Sequence, residues 1–229
     1  IESAKKDSID TLLAASDLKG RGPTQRVVAV GCMAERYGRE LADALPEADA
    51  VLGFDDYENI DDKLRLIMSG AHVEAHTPSD RRRLLPLAPA QRQAAASEIV
   101  IPGTAPASGP RAVRKRRGNA PSAPVKIASG CDRRCAFCAI PSFRGSFVSR
   151  PIDDIVEEVT WLADHGVREA FLVSENSSSY GKDLGELGAL ESLLHRLNGI
   201  ENLDWIRVSY LQPAEIRPEL VEAMCSIDK

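Results

Sequence analysis

A chain of 229 residues, 43% hydrophobic and 28% charged, can bury one or two sizeable cores and is not disordered overall. Five cysteines are too few for a disulfide scaffold, and neither a signal peptide nor an apolar run long enough for a bilayer is present. Small secreted and membrane-spanning classes are thereby excluded, and the reducing cytoplasm is the expected compartment. The net charge of −5 is unevenly spread: between Asp80 and Gly118, Arg81, Arg82, Arg83, Arg92, Arg111, Arg114, Lys115, Arg116 and Arg117 face only Asp80 and Glu98. Ile1 and Lys229, the latter within a helical pattern, read as cut edges.

In chain order, residues from about Glu2 to Leu18 place Ile9, Leu12, Leu13 and Leu18 on a helical stripe. Val27–Val30 is a short apolar strand ending in Gly31 and Cys32, and a helix follows from about Ala34 to Leu45. Ala50–Phe54 reads as a second strand and Tyr57–Met68 as a third helix, with Ile60, Leu64, Ile67 and Met68 on one side. Apolar strands between helices predict a parallel sheet covered on both faces. Cys32 falls just past its strand, where open α/β sheets gather ligands, although a cysteine there is commonly a small buried hydrophobe.

The basic stretch also carries Pro86, Pro89, Pro102, Pro106, Pro110, Pro121 and Pro124 among many Ala and Ser, a composition that resists core packing. It reads as a linker, either a solvated tether or a phosphate-docking arm for RNA. Beyond it come a strand Val125–Ala128, a helix capped by Asp153 or Asp154 and stopped by Gly166, and a strand Ala170–Val173. A helix from about Glu186 to Leu197, a strand Trp205–Leu211 and a helix from near Ala214 complete three βα units. Such units, with polar residues after each strand, predict about half of a βα barrel whose chemistry sits at the strands' carboxyl ends.

Cys131, Cys135 and Cys138 form a CxxxCxxC triplet in one short loop. Structural zinc closes four ligands, and the next cysteine, Cys225, is far along the chain. A cubane iron-sulfur cluster on three thiolates keeps one iron open, which implies chemistry rather than architecture. Cys225, on a stripe with Leu220, Val221 and Met224, is expected to be a core thiol, and His72, His76, His165 and His195, lacking ligand spacing, are expected at the surface. Arg150 is either a helix-entry or a substrate contact, and Tyr180 with Gly181 shapes a turn.

The run Gly130-Cys-Asp-Arg-Arg-Cys-Ala-Phe-Cys138, with Ile140-Pro-Ser-Phe-Arg-Gly145 and Val148-Ser-Arg-Pro151, resembles the radical S-adenosylmethionine methylthiotransferases. Gly31-Cys-Met-Ala-Glu-Arg-Tyr37, Ser174-Glu-Asn-Ser-Ser-Ser-Tyr-Gly181 and Arg207-Val-Ser-Tyr-Leu-Gln-Pro213 are similar to further motifs of that family. Tyr210-Leu-Gln-Pro213 and Ala139-Ile-Pro-Ser142 are closer to the branch that modifies an aspartate of ribosomal protein S-twelve than to the branch that modifies a hypermodified adenosine of tRNA. A noncatalytic metal-binding piece is the alternative of another class.

The resemblance implies a methylthiotransferase amino-terminal domain over residues 1–75, a linker over 76–123 and the first half of a radical SAM barrel over 124–229. It implies two 4Fe-4S clusters in the intact enzyme. One sits on Cys131, Cys135 and Cys138 and binds S-adenosylmethionine; an auxiliary one takes Cys32, with two further ligands expected upstream of Ile1, so that the chain as written is expected to be inactive. Phe137 is implied to lie against the adenine, and Ser174, Glu175 and Asn176 to meet the methionyl ammonium, with Glu175 supplying the charge. The implied partners are S-twelve or the small ribosomal subunit and an electron donor, with no membrane.

Overall fold

The computed structural model describes residues 2–80 and 118–229, and the basic stretch predicted as a linker lies largely outside the described residues. Among the described residues, those up to Asp80 and those from Gly118 onward form two separate units.

In the first unit, α1 (Glu2–Ser16) precedes β1 (Val28–Ala29), α2 (Cys32–Ala44), β2 (Ala50–Val51) and, after a 3-10 turn Phe54–Asn59, α3 (Ile60–Met68). The strands pair in parallel, Val28 beside Ala50 and Ala29 beside Val51. Successive strand residues point to opposite faces, so Ala29 and Val51 pack with Ala34, Leu41 and Leu45 while Ala50 and Leu52 pack with Ile67. Helices therefore cover both faces, as the alternation predicted. The stripes are narrower than expected, for Leu18, Leu64 and Met68 are exposed.

His76 departs from the expected surface position. Its side chain is only 9% exposed, with Nε2 3.4 Å from the fully buried Glu35 carboxylate. Glycine makes this possible: a Cβ on Gly53 would meet the His76 ring at 2.5 Å, and one on Gly38 would meet the His76 carbonyl at 2.1 Å. The His76 carbonyl accepts from Arg39 N, and its own N–H donates to the Val51 carbonyl. Residue 76, expected to open the linker, is thus bonded to the first unit's sheet and to α2.

The second unit runs β3 (Ser122–Lys126), β4 (Ala128–Ser129), α4 (Ile140–Arg144), β5 (Val148–Ser149), α5 (Ile152–Asp164), β6 (Glu169–Val173), α6 (Ala189–Asn198), β7 (Trp205–Val208) and α7 (Pro218–Ser226). β3, β6 and β7 form a parallel sheet in that order. Val125, Ile127, Ala170 and Leu172 pack against Ile155 and Val159 of α5 and Leu193, Leu194 and Leu197 of α6. Pro151, rather than Asp153 or Asp154, stands at the helix cap, and both acids fall within the first turn, where carboxylates favour the helix dipole. Gly166 ends the same segment at φ 88, as expected. On α7 the core takes Leu220 and Ala223, leaving Val221, Met224 and Cys225 exposed, so Cys225 is not a core thiol.

Parallel strands with α crossovers bring the loops after β3, β6 and β7 to one edge of the sheet. The antiparallel pair β4 and β5, with Ala128 beside Ser149 and Ser129 beside Val148, pinches the chain between them into a closed excursion at that edge. That excursion carries the cysteine triplet.

Candidate active site

The base of the cysteine loop is set by close backbone approach. Gly130 has φ 83, and a Cβ there would lie 1.9 Å from the Ser146 carbonyl, so only glycine fits. Cys131 N–H donates to the Gly145 carbonyl, Phe147 N–H to Asp132 Oδ1, and Cys138 N–H to the Cys135 carbonyl. Cys135 is exposed, Cys131 and Cys138 are half-buried, and all three thiols are free. Burial pushes the Cys131 thiol pKa up against a lowering backbone bond from Arg133, and Cys138, Asp132 and Cys135 push it further up.

Among the described residues, no three His, Cys, Asp or Glu side chains converge into a metal cage. The triplet is one loop's worth of thiols rather than a preformed site. Thiolates repel one another, and gathering three sulfurs takes a cation between them. The donor chemistry nevertheless fits iron-sulfur ligation: three cysteines on a short exposed loop, clear of the core.

After β6, Ser174 Oγ is engaged with Ser177 Oγ at 3.0 Å. Glu175 Oε1 pairs with Arg144 Nε at 3.2 Å, which ties the loop after β6 to α4 beside the cysteines. Glu175 Oε2 and Asn176 Oδ1 are buried acceptors with no hydrogen-bond partner. Two adjacent orphaned acceptors are costly unless a donor arrives, and an ammonium carries three N–H donors. Phe137, next to the last cysteine, is 85% exposed and free to stack on a ring.

Glu215, in the 3-10 turn Pro213–Glu215 after β7, was not singled out by sequence. Its Oε2 accepts from Asn176 Nδ2 at 3.1 Å, Ser179 Oγ at 2.9 Å and Lys182 Nζ at 3.1 Å, and Oε1 pairs with Arg133 between the first two cysteines. Burial raises its pKa, but these four donors outweigh burial and hold it at about 2. Because the folded pKa lies below the ordinary 4.5, the carboxylate stabilises the fold above that value, and the gain is lost as pH falls from about 4.5 to about 2. Allowing for partial exposure, the contribution is roughly 1–2 kcal/mol. Glu215→Gln should therefore be less stable by that amount at neutral pH and converge with the parent near pH 2, read by urea denaturation across pH. Parallel profiles at all pH values would refute the ionised network.

The chain between β7 and Glu215 is tied to the same cluster. Ser177 N–H donates to the Tyr210 carbonyl, Gln212 N–H to Ser178 Oγ, and Tyr210 itself stands at φ 62, a conformation rare for a bulky residue. Arg150, left open by sequence, is 2% exposed and bonded within the unit, so it is a helix-entry residue. Tyr180 is also buried, its hydroxyl donating to the Arg150 carbonyl at 2.7 Å. Its environment, burial first and then Asp183, Glu186 and Asp154, pushes the phenol pKa well up.

The Radical SAM superfamily matches residues 125–227. Over 239 aligned residues the chain is 64% identical to ribosomal protein uS12 methylthiotransferase RimO of Cutibacterium acnes, covering 100% of this chain and 50% of that protein. It is 62% identical over 230 residues to the protein of the same name from Kineococcus radiotolerans, covering 99% of this chain and 47% of that one. Over its whole length, then, the chain is similar to the methylthiotransferases of that name, and its second unit to the Radical SAM superfamily. The chain spans about half the length of the curated relatives it matches. Among solved structures, the radical S-adenosylmethionine methyltransferase TsrM of Kitasatospora setae aligns with 45% of this chain and 19% of its own at 17% identity and a TM-score of 0.36. The loop that carries the three cysteines is thus tied through Arg133 to Glu215, and Glu215 to Asn176, at the carboxyl edge of one parallel sheet. Cys32, by contrast, begins α2 of the first unit and is exposed rather than a buried hydrophobe.

Proposed function

We propose that the protein is a cytoplasmic methylthiotransferase that adds a methylthio group to the β-carbon of an aspartate of ribosomal protein uS12. The observation that carries this reading is the meeting of a three-thiol loop with two unpartnered buried acceptors, Glu175 Oε2 and Asn176 Oδ1, at one sheet edge. Substrate choice is supported by the name shared by relatives up to 64% identical to the chain. Residues 124–229 form the first part of a radical SAM barrel and residues 1–75 an amino-terminal methylthiotransferase domain, joined by the basic stretch, which docks on ribosomal RNA by charge.

Cys131, Cys135 and Cys138 would hold a 4Fe-4S cluster as thiolates, and Cys32 would give one thiolate to an auxiliary cluster. Reduced by a donor protein, the cluster on Cys131, Cys135 and Cys138 would supply one electron to bound S-adenosylmethionine, whose cleavage to methionine would leave a radical able to take hydrogen from an unactivated carbon. The chain's own residues bind and orient. Glu175 and Asn176 accept from the methionyl ammonium, Arg144 fixes the Glu175 carboxylate, and exposed Phe137 covers the adenine face. Ser174, engaged with Ser177, holds the shape of the loop that carries them. No side chain need act as a base in the hydrogen transfer.

Mass spectrometry of uS12 and of bulk tRNA from a deletion strain tests the assignment. Loss of the methylthio mass increment from uS12 with unchanged tRNA nucleosides is expected. An unchanged uS12 mass would overturn it, and loss of a methylthioadenosine would transfer it to tRNA.

A further inference from the structure

Glu215 belongs to none of the cysteine or strand-end motifs, yet it joins more elements of the site than any residue within them. Its partners are Arg133 in the cysteine loop and Asn176, Ser179 and Lys182 in the loop after β6. We propose that Glu215 is a positioning residue that locks the cysteine loop and the Asn176 carboxamide in one geometry, so that Asn176 turns Oδ1, and not its N–H groups, toward an ammonium donor. The inference deepens the reading of this edge as an S-adenosylmethionine site and rests on it.

A carboxamide offers one acceptor and two N–H donors. Asn176 Nδ2 points to Glu215 Oε2 at 3.1 Å and to Ser179 Oγ at 2.9 Å, which uses both hydrogens. Flipping the amide would set Oδ1 against the Glu215 carboxylate, two acceptors face to face. The carboxylate thus selects the rotamer in which Oδ1 faces away, and there it is buried and unpartnered. Asn176 is 2% exposed, so the orphaned acceptor is a standing cost that only an arriving donor removes.

The second arm of Glu215 acts on the cluster loop. Arg133 lies between Cys131 and Cys135, and its bond to Glu215 spans 82 residues of sequence. Cys135 is exposed, and the backbone N–H bonds of Cys131 to Gly145 and of Cys138 to Cys135 lie at the two ends of that stretch. The Arg133 side chain is therefore an anchor for the middle of the loop. Charge works in the same direction. Without the carboxylate, Arg133 and Lys182 would stand uncompensated where a cationic group has to dock.

The test compares Glu215→Gln and Glu215→Asp with the parent by hydrogen exchange and by S-adenosylmethionine binding to the cluster-loaded protein. In Glu215→Gln, amides of residues 131–138 and 175–179 should exchange about tenfold faster together, beyond the general rise in β6 amides that follows from the lower global stability. Iron content per chain should match the parent, whereas S-adenosylmethionine should bind about tenfold more weakly and its effect on the reduced cluster's paramagnetic resonance spectrum should shrink. Glu215→Asp, keeping the charge on a shorter arm, should restore part of both. Unchanged exchange over 131–138, or an affinity within about twofold of the parent, would overturn the proposal, since a merely structural residue alters stability and not ligand affinity. A parent protein that loads a cluster but binds no S-adenosylmethionine would instead sink the site reading and the ammonium role of Asn176 with it, the exchange data then judging the tether alone.

Discussion

Replacing Cys135 with alanine is expected to abolish cluster loading and S-adenosylmethionine cleavage while leaving the fold nearly as stable as before. Cys135 is exposed, and its contribution to the loop's backbone is a carbonyl that accepts from Cys138 N–H, which alanine retains. An exposed loop substitution of this kind stays within about 0.5 kcal/mol. The chemical loss should be total because two thiolates cannot stand in for the three that would hold a cluster with an open iron. Cys225→Ala, on the exposed side of α7, serves as the control and should load iron like the parent. Anaerobic reconstitution with iron and sulfide, followed by absorbance and iron counting, decides the matter. Full brown colour in Cys135→Ala would remove the residue from the ligand set. A parent that takes one zinc and no iron would instead make the triplet part of a structural site.

The cysteine triplet was legible because its three members are neighbours in sequence. The alternation of helices and parallel strands was legible for a related reason, since apolar runs report local periodicity. Glu215 was not. Its partners lie 33 to 82 residues away in sequence, and the run Ala214-Glu-Ile216 has no pattern that marks a hub. His76 was misjudged because a lone histidine gives no signal of its own; what buries it is the missing Cβ of Gly38 and of Gly53, a coincidence visible only once the turns are folded together. Cys225 was misplaced by phase. The nine-residue α7 carries apolar residues around most of its circumference, so periodicity alone could not tell that Leu220 and Ala223, and not Met224 and Cys225, meet the core. Short strands suffer similarly: β4 and β5 pair over two residues each, too few for an alternation to be read, yet they close the base of the cysteine loop.

The largest loss of stability is expected at Arg150, which sequence left divided between a helix-entry and a substrate contact. Its guanidinium is buried, and it donates to the Lys126 carbonyl at the end of β3 and to the Asp154 carbonyl at 3.3 Å, with an ion pair to Glu158 at 2.9 Å. Its backbone is equally committed, the N–H to the Ile127 carbonyl and the carbonyl to the Tyr180 hydroxyl. One side chain therefore joins the end of β3 to the first two turns of α5. Arg150→Ala removes those bonds, strips the Lys126 carbonyl of a donor and leaves a cavity, costing about 3–5 kcal/mol. Arg150→Met fills much of the volume but still deprives the carbonyls of donors, at about 1–3 kcal/mol for a buried group left unsatisfied. Urea denaturation should thus rank the variants parent, Met, Ala. Ile127 leads directly into β4 and the cysteine loop, so iron loading should fall in step with stability. A substrate contact predicts the reverse pattern, unchanged denaturation with lost uS12 modification, and that result would return Arg150 to the binding surface.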